Sequence, residues 1–323
     1  MGKSGVIRWI VLWALVAIVG AVFWQQMRYL HARRDIVHDT QPLLYSSSAF
    51  HVLTFLHYAE PRSPGGAGSD GSASPGAGDD RELFAAMRDL RRASESGGDA
   101  RVVYAGKVAV NALASKQLVD RFGGEVSWSA VLLTQFDSRE AADRILASEL
   151  YQRALSRFSR SYSCGMQRSP WFNLGIPMVL LAKRIVQIVS GAPSHFPFVP
   201  AADLNPAIEL RATQLLAARD YGESAVVVAN LLREGTSANA AADRRYTEQM
   251  FGMMAEGVHG PMHIGVAVPL MTGDQFDRVA LVYYPGVQYF ADMMRSRFYQ
   301  GIVADKQLGD TQASITVPVL DRL

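Results

Sequence analysis

Two stretches of this chain, Val131-Leu132-Leu133-Thr134-Gln135-Phe136-Asp137-Ser138 and Val279-Ala280-Leu281-Val282-Tyr283-Tyr284-Pro285-Gly286, align without a gap, and the segments around them follow one order twice. Self-similarity at so long a period constrains the fold more than local propensity does, because each copy must be one folding unit. In the first copy, residues 50–58 are β-rich. Residues 80–93 read as a helix with Leu83, Phe84, Met87 and Leu90 on one face. Residues 101–110 and 127–136 read as strands, 138–157 as a helix and 162–168 as a short strand. The second copy gives strands at 225–232, 262–270, 276–284 and 313–319, with helices at 240–256 and 287–303. Each copy is therefore βαββαβ, the ferredoxin-like order. One such sheet has helices on a single face only, and pairing two sheets covers both bare faces.

The run Trp128…Phe136-Asp137-Ser138-Arg139-Glu140-Ala141-Ala142…Ser148-Glu149-Leu150-Tyr151-Gln152…Arg157 resembles the signature of an uncharacterised family in the dimeric α/β-barrel superfamily. Tyr284-Pro285-Gly286-Val287…Phe290…Met293…Arg295-Ser296…Phe298-Tyr299-Gln300 is similar to the same pattern in a more divergent form. The resemblance covers most of residues 49–168 and 222–320. It implies two ferredoxin-like units meeting through their sheets as a pseudo-dimeric α/β barrel within one chain. With the N-terminal transmembrane helix read from the apolar run at residues 5–24, the expected fold is α+β, that helix followed by the barrel. Relatives in that superfamily include quinone-forming monooxygenases, haem-degrading enzymes, chlorite dismutases and isomerases, so the resemblance is nearly silent about chemistry.

Residues 5–24 form an apolar run broken only by Arg8, long enough to cross a ~30 Å hydrocarbon core as one helix. No site of small residues follows it, and the segment reads as an uncleaved anchor. Lys3 and Arg8 on one side balance Arg28, Arg33 and Arg34 on the other, leaving the side of the soluble part open. The expected organisation is an anchor and flank at 1–34, a first repeat at 49–168, an apolar linker at 169–206 and a second repeat at 207–323. Within the first repeat, 61–78 is a Gly-, Ser- and Pro-rich flexible insertion. In the linker, residues 172–189 are strongly apolar but carry Pro177 and Lys183-Arg184. They fit a helix lying on the membrane surface, with a linker helix packed on the barrel and a second span as alternatives.

A formal net charge of +2 presents no basic field for nucleic acid. The single Cys164 excludes an intrachain disulfide and reads as a buried, inert thiol. His259 and His263 are four apart, but Gly260-Pro261 between them opposes the helix on which such a pair would chelate. His51 and His57 share a strand face too far apart to hold one ion. There is no phosphate loop, nucleophile elbow or Cys-x-x-Cys, no axial haem histidine can be assigned, and neither metal nor cofactor is expected. Aligning Ala109-Val110 with Ala267-Val268 sets Ala105 opposite His263 and Lys107 opposite Gly265. Small neighbours around one polar residue leave room for a ligand, so Lys107 and His263 are expected to line one cavity. Gln135 and Tyr283, equivalent in the gapless alignment, complete the ligand-binding candidates.

The second copy reads as having lost the Ser148-Glu149-x-Tyr151-Gln152 spacing, with Arg297-Phe298-Tyr299-Gln300 in its place. That divergence points to a single-pass, membrane-anchored binding or accessory module, its partners a lipid bilayer and a hydrophobic small molecule. Two alternatives stand beside it. One is a cofactor-independent monooxygenase or isomerase acting on a membrane-dissolved substrate, and the other is an accessory subunit of a larger membrane complex.

Overall fold

The computed structural model describes residues 3–33, 36, 46, 48–59, 80–217, 224–257 and 259–323. Its strands are β1 (Phe50–His57), β2 (Ala100–Leu113), β3 (Ala130–Phe136), β4 (Arg160–Arg168), β5 (Val226–Arg233), β6 (Gly260–Val268), β7 (Arg278–Tyr284) and β8 (Asp310–Pro318). They close into one antiparallel barrel in the order β1-β3-β2-β8-β5-β7-β6-β4. The first four strands run β2-β3-β1-β4 and the last four run β6-β7-β5-β8, the same order twice. Two seams, β2 against β8 and β4 against β6, join these sets. Closure removes every open edge.

The helices are α1 (Lys3–His31), α2 (Asp80–Glu95), α3 (Lys116–Phe122), α4 (Arg139–Leu146), α5 (Glu149–Leu155), α6 (Phe172–Ser190), α7 (Pro206–Ala217), α8 (Ala240–Gly257), α9 (Val287–Arg295) and α10 (Arg297–Ile302). Three apolar clusters follow from the period-2 strands. Leu53, Phe55, Val103, Val131, Leu133, Leu231 and Leu281 fill the barrel. Phe50, Val52, Leu132 and Phe136 pack outward under α2, α4 and α5. Val226, Tyr284 and Ile315 do the same under α7, α8 and α9.

Each helix expected at 138–157 and 287–303 breaks in two, and a serine makes the break. Ser148 Oγ accepts from Tyr151 N at 3.3 Å and caps α5, while Ser296 Oγ accepts from Tyr299 N at 3.1 Å and caps α10. Gln152 Nε2 donates back to Leu146 O at 2.6 Å, and Gln300 Nε2 to Met294 O at 2.8 Å. The Ser-x-x-Tyr-Gln spacing is thus present in both halves, correcting the reading that the second had lost it. The motif shapes the helix turn.

α1 is 29 residues long, and Ile7–His31 has a mean hydropathy of 2.1. Ile7 through Trp24 are almost all exposed, whereas Gln25, Gln26 and Tyr29 in its last turns are buried. α6 runs unbroken through Pro177, and with a mean hydropathy of 1.5 it too is long and apolar enough to cross a membrane by length and composition. The insertion expected at 61–78 lies outside the described residues. The short α3 and α7 were not legible in the apolar pattern.

Candidate functional site

One end of the barrel gathers a buried polar group. His51, Gln135, His263 and Tyr283 all point inward there, because they share strand faces with Leu53, Leu133, Leu281 and Val279. His51 and Gln135 are paired across β1 and β3 and hydrogen-bonded through their side chains. The His51 and His263 ring centroids are 6.4 Å apart, and the Arg168 guanidinium contacts His263 Nδ1. Burial, then the nearby Arg168 charge, pushes both imidazoles well below the usual histidine range, so both are neutral. α1 covers this end. The Tyr29 hydroxyl donates to Pro261 O, the Arg33 guanidinium stacks 3.7 Å from the Tyr29 ring centroid, and Ile36 joins the interior cluster.

Lys107 is elsewhere. It lies on the helix side of β2 and pairs with Asp80 Oδ1 at 2.5 Å. It shares no cavity with His263, and the reason is a register slip. Val131 pairs with Gly106 and Val279 with Gly265, so Gly106 is the counterpart of Gly265, and Tyr104 that of His263. A bulge between Val108 and Val110 puts any count back from Ala109-Val110 one residue out. A slip of one exchanges the two faces of a strand.

Among the described residues, two openings lie outside the barrel: a polar one of about 620 Å³ in the first half, beside the end of α2 and the start of β2, lined by Arg91, Glu95, Arg101 and Gln135, and a more apolar one in the second half. A cavity of about 560 Å³ lies between the outer face of β5, β6 and β7 and the helices α8, α9 and α10. Met250, Met254, Phe290 and Met293 give it an apolar floor. Its open end is marked by Glu234, Arg244, Arg278 and Gln307, all exposed. Between them stand Tyr246, Tyr284, Tyr299, Asp243 and Lys306. Tyr246 and Tyr299 are hydrogen-bonded, and Lys306 Nζ lies 6.0 Å from the Tyr246 ring centroid.

Burial raises all three phenols, which keeps them protonated as donors. Burial also lowers the Lys306 ammonium, opposed by the Asp243 charge, and it raises the Asp243 carboxyl, opposed by Lys306 and Arg278. The arrangement suits a molecule with an apolar body and one polar end. The counterpart position in the first half is filled. Tyr151 is 4% exposed there and is hydrogen-bonded with Thr54 and Ser163.

None of Lys107, His263, Gln135 and Tyr283 lines this cavity. Tyr299 was within reach of sequence reasoning through its Ser-x-x-Tyr-Gln motif. Lys306, Tyr246 and Asp243 carried no spacing signal. Cys164 is buried, which raises its thiol to about 12. His259, 1% exposed, packs its ring against Tyr284 and Tyr289. Among the described residues no three His, Cys, Asp or Glu side chains converge on a common point.

No family model matches the chain, and no curated protein matches it. Similar solved structures include a mutant chlorite dismutase from Candidatus Nitrospira defluvii, 8% identical over 87% of this chain and 95% of that one, with a TM-score of 0.44. An anthrone oxidase-like protein is 7% identical over 85% and 92%, with a TM-score of 0.41. A candidate monooxygenase from Lactobacillus acidophilus NCFM is 8% identical over 84% and 94%, with a TM-score of 0.38. At these values the likeness carries neither residue roles nor chemistry to this chain.

Proposed function

We propose that this chain is a membrane-anchored ligand-binding protein, built as a pseudo-dimer of two βαββαβ units, whose ligand occupies the cavity under α8, α9 and α10. The observation that carries the reading is the asymmetry between the halves: two units of one strand order, with a cavity lined by tyrosines and a lysine, among the described residues, under the helices of the second. The ligand is a small, largely apolar molecule whose polar end meets Tyr246, Tyr299 and Lys306. The exposed apolar length of α1 supports its role as the anchor.

The test uses the full chain in phosphatidylcholine nanodiscs, titrated with laurate and with menadione as probes. Val228 lines the cavity. Val228→Phe fills the space and is expected to weaken both probes about tenfold or more, the ~1–3 kcal/mol of overpacking. Lys306→Met is expected to weaken laurate about tenfold, the ~1.5 kcal/mol of a hydrogen bond to a charged group, and to affect menadione less. Binding that Val228→Phe leaves unchanged, or no binding of either probe, refutes the reading.

A second reading, a cofactor-independent monooxygenase or isomerase, is favoured by Asp243. Burial raises its carboxyl beside Lys306, which places a base and donors in one pocket. Consumption of a naphthol or quinol in air that Asp243→Asn abolishes would select this reading over binding alone.

A further inference from the structure

α6 is an amphipathic helix turned inside out. Two of its polar side chains reach the protein: Gln187 Nε2 donates to Gly252 O at 2.9 Å, and Arg184, its side chain 41% exposed, places Nη1 3.9 Å from Glu256 Oε2, both on α8. Phe172, Pro177 and Leu180 are buried on that same side. The outward stripe is Met178, Ala182, Ile185 and Val189, at positions i, i+4, i+7 and i+11, flanked by Val179, Val186 and Ile188. Ile185, Val186, Ile188 and Val189 are 52–81% exposed, with Val189 the most exposed. A soluble surface helix has the opposite polarity, and a contiguous apolar face of this kind marks an interaction surface.

The position of α6 identifies what covers it. It packs against α1, and the buried residues of α1 among those described lie in its last two turns, at Gln25, Gln26 and Tyr29. The apolar length of α1 therefore leaves the domain beside α6. The part of α8 that holds α6, Gly252 to Glu256, immediately precedes Gly260–Pro261, the start of β6 to which Tyr29 is bonded. Both apolar surfaces thus lie at one end of the barrel. Trp171, 62% exposed at the start of α6, suits the headgroup level.

We infer that α6 lies in the plane of the membrane, with Met178, Ile185 and Val189 in the lipid, and seats the barrel on the bilayer beside the anchor. α6 does not itself cross, because Gln187 and Arg184 hold it along α8. A helix of this kind enters the boundary between headgroups and acyl chains by ~5–10 Å.

The full chain carries one thiol, the buried Cys164. Val186→Cys and Val189→Cys, labelled with an environment-sensitive fluorophore, are placed in phosphatidylcholine nanodiscs. Their lipids carry bromine either near the glycerol or near the chain terminus. Arg92→Cys, on the exposed face of α2 with a side chain 77% exposed, is the control. Both α6 probes should lose roughly half their fluorescence with the shallow bromine and much less with the deep one, as the ~5–10 Å depth requires. The control should lose none. Absence of quenching at both α6 positions would show that the face is covered by protein or stands off the membrane. Stronger quenching by the deep bromine would show a second span. Either result overturns the inference.

Discussion

The seams between the two halves can be probed one atom at a time, because each carries a glycine at the equivalent position. Gly265 on β6 faces β4, opposite Arg168. A Cβ built on it would stand 2.6 Å from Met166 Cγ and 2.9 Å from the Gln167 carbonyl carbon, and closer still to the Gln167 oxygen. Met166 could move, but the Gln167 backbone is held in the β4–β6 ladder. Gly106 on β2 faces β8, and its Cβ would meet Tyr104 Oη at 2.5 Å, Thr316 Oγ1 at 2.8 Å and Thr316 Cβ at 2.9 Å. The two hydroxyls can yield at the expense of their own 2.6 Å hydrogen bond, whereas Thr316 Cβ is fixed to the β8 backbone and yields only with the strand. Gly301 in α10 has nothing within 4 Å of such an atom. Gly265→Ala is therefore expected to destabilise by about 1–3 kcal/mol, the usual result of overpacking a closed interior. Gly106→Ala should cost about 1–3 kcal/mol, one hydrogen bond plus the overpacking against Thr316 Cβ, and Gly301→Ala should stabilise by about 0.5–1 kcal/mol through helix propensity. Urea unfolding of the full chain in nanodiscs, followed by circular dichroism, reads all three. If Gly265→Ala unfolds within about 0.5 kcal/mol of the parent, the size of an inert surface change, the β4–β6 seam is not closed as described.

His259 gives a pH dependence of known sign. Burial lowers its imidazole from 6.5 to about 4, so the unfolded chain binds the extra proton first. The contribution of this neutral ring is complete above pH 6.5 and is lost as pH falls through 4, up to about 3 kcal/mol. Stability measured from pH 7 to pH 4 should fall more steeply for the parent than for His259→Asn, and parallel profiles would refute the assignment. Asp274, with its side chain 2% exposed, holds Arg121 at 2.6 Å. Asp274→Ala should cost about 1–3 kcal/mol because the arginine, 24% exposed, recovers only part of its solvation. The loss should persist in 1 M NaCl, and a loss that salt abolishes would place the pair in solvent.

The strand order was legible because apolar alternation and an internal repeat report the same thing. The register was not. A bulge at Val108–Val110 has no sequence signature that separates it from regular strand, and one uncounted residue moved Lys107 from the outside of the barrel to the inside of the expected cavity. The helix breaks at Ser148 and Ser296 were hidden differently. Both serines sit within periodic apolar stretches, and a cap there is visible only when Ser-x-x-Tyr is read as a turn. The cavity was out of reach because it is a difference between halves. Tyr151 and Tyr299 occupy equivalent places in sequence, and only packing decides that one is sealed against Thr54 and Ser163 while the other faces open space.

The two ends of the second half carry opposite chemistry, and strand register fixes which is which. Gly260 pairs with Tyr283 at the end where Tyr29 reaches Pro261, so α1 and the α6-bearing part of α8 belong to that end. Arg278 pairs with Val266 and Leu232 at the other end, where the cavity opens between Glu234, Arg244 and Gln307. An Arg278–Glu234 ion pair at 2.9 Å marks that rim. A ligand drawn from the lipid would meet the apolar floor formed by Met254, Phe290 and Met293, which is the closed side. One arriving from water meets the charged rim first and then the hydroxyls of Tyr246 and Tyr299. The exposed apolar length of α1 and the cavity mouth thus face opposite ways. With α1 as the proposed anchor, the helix would position the barrel at the membrane and a ligand would enter the cavity from the aqueous side, whereas a substrate handed over directly from the bilayer would need a path past the apolar floor.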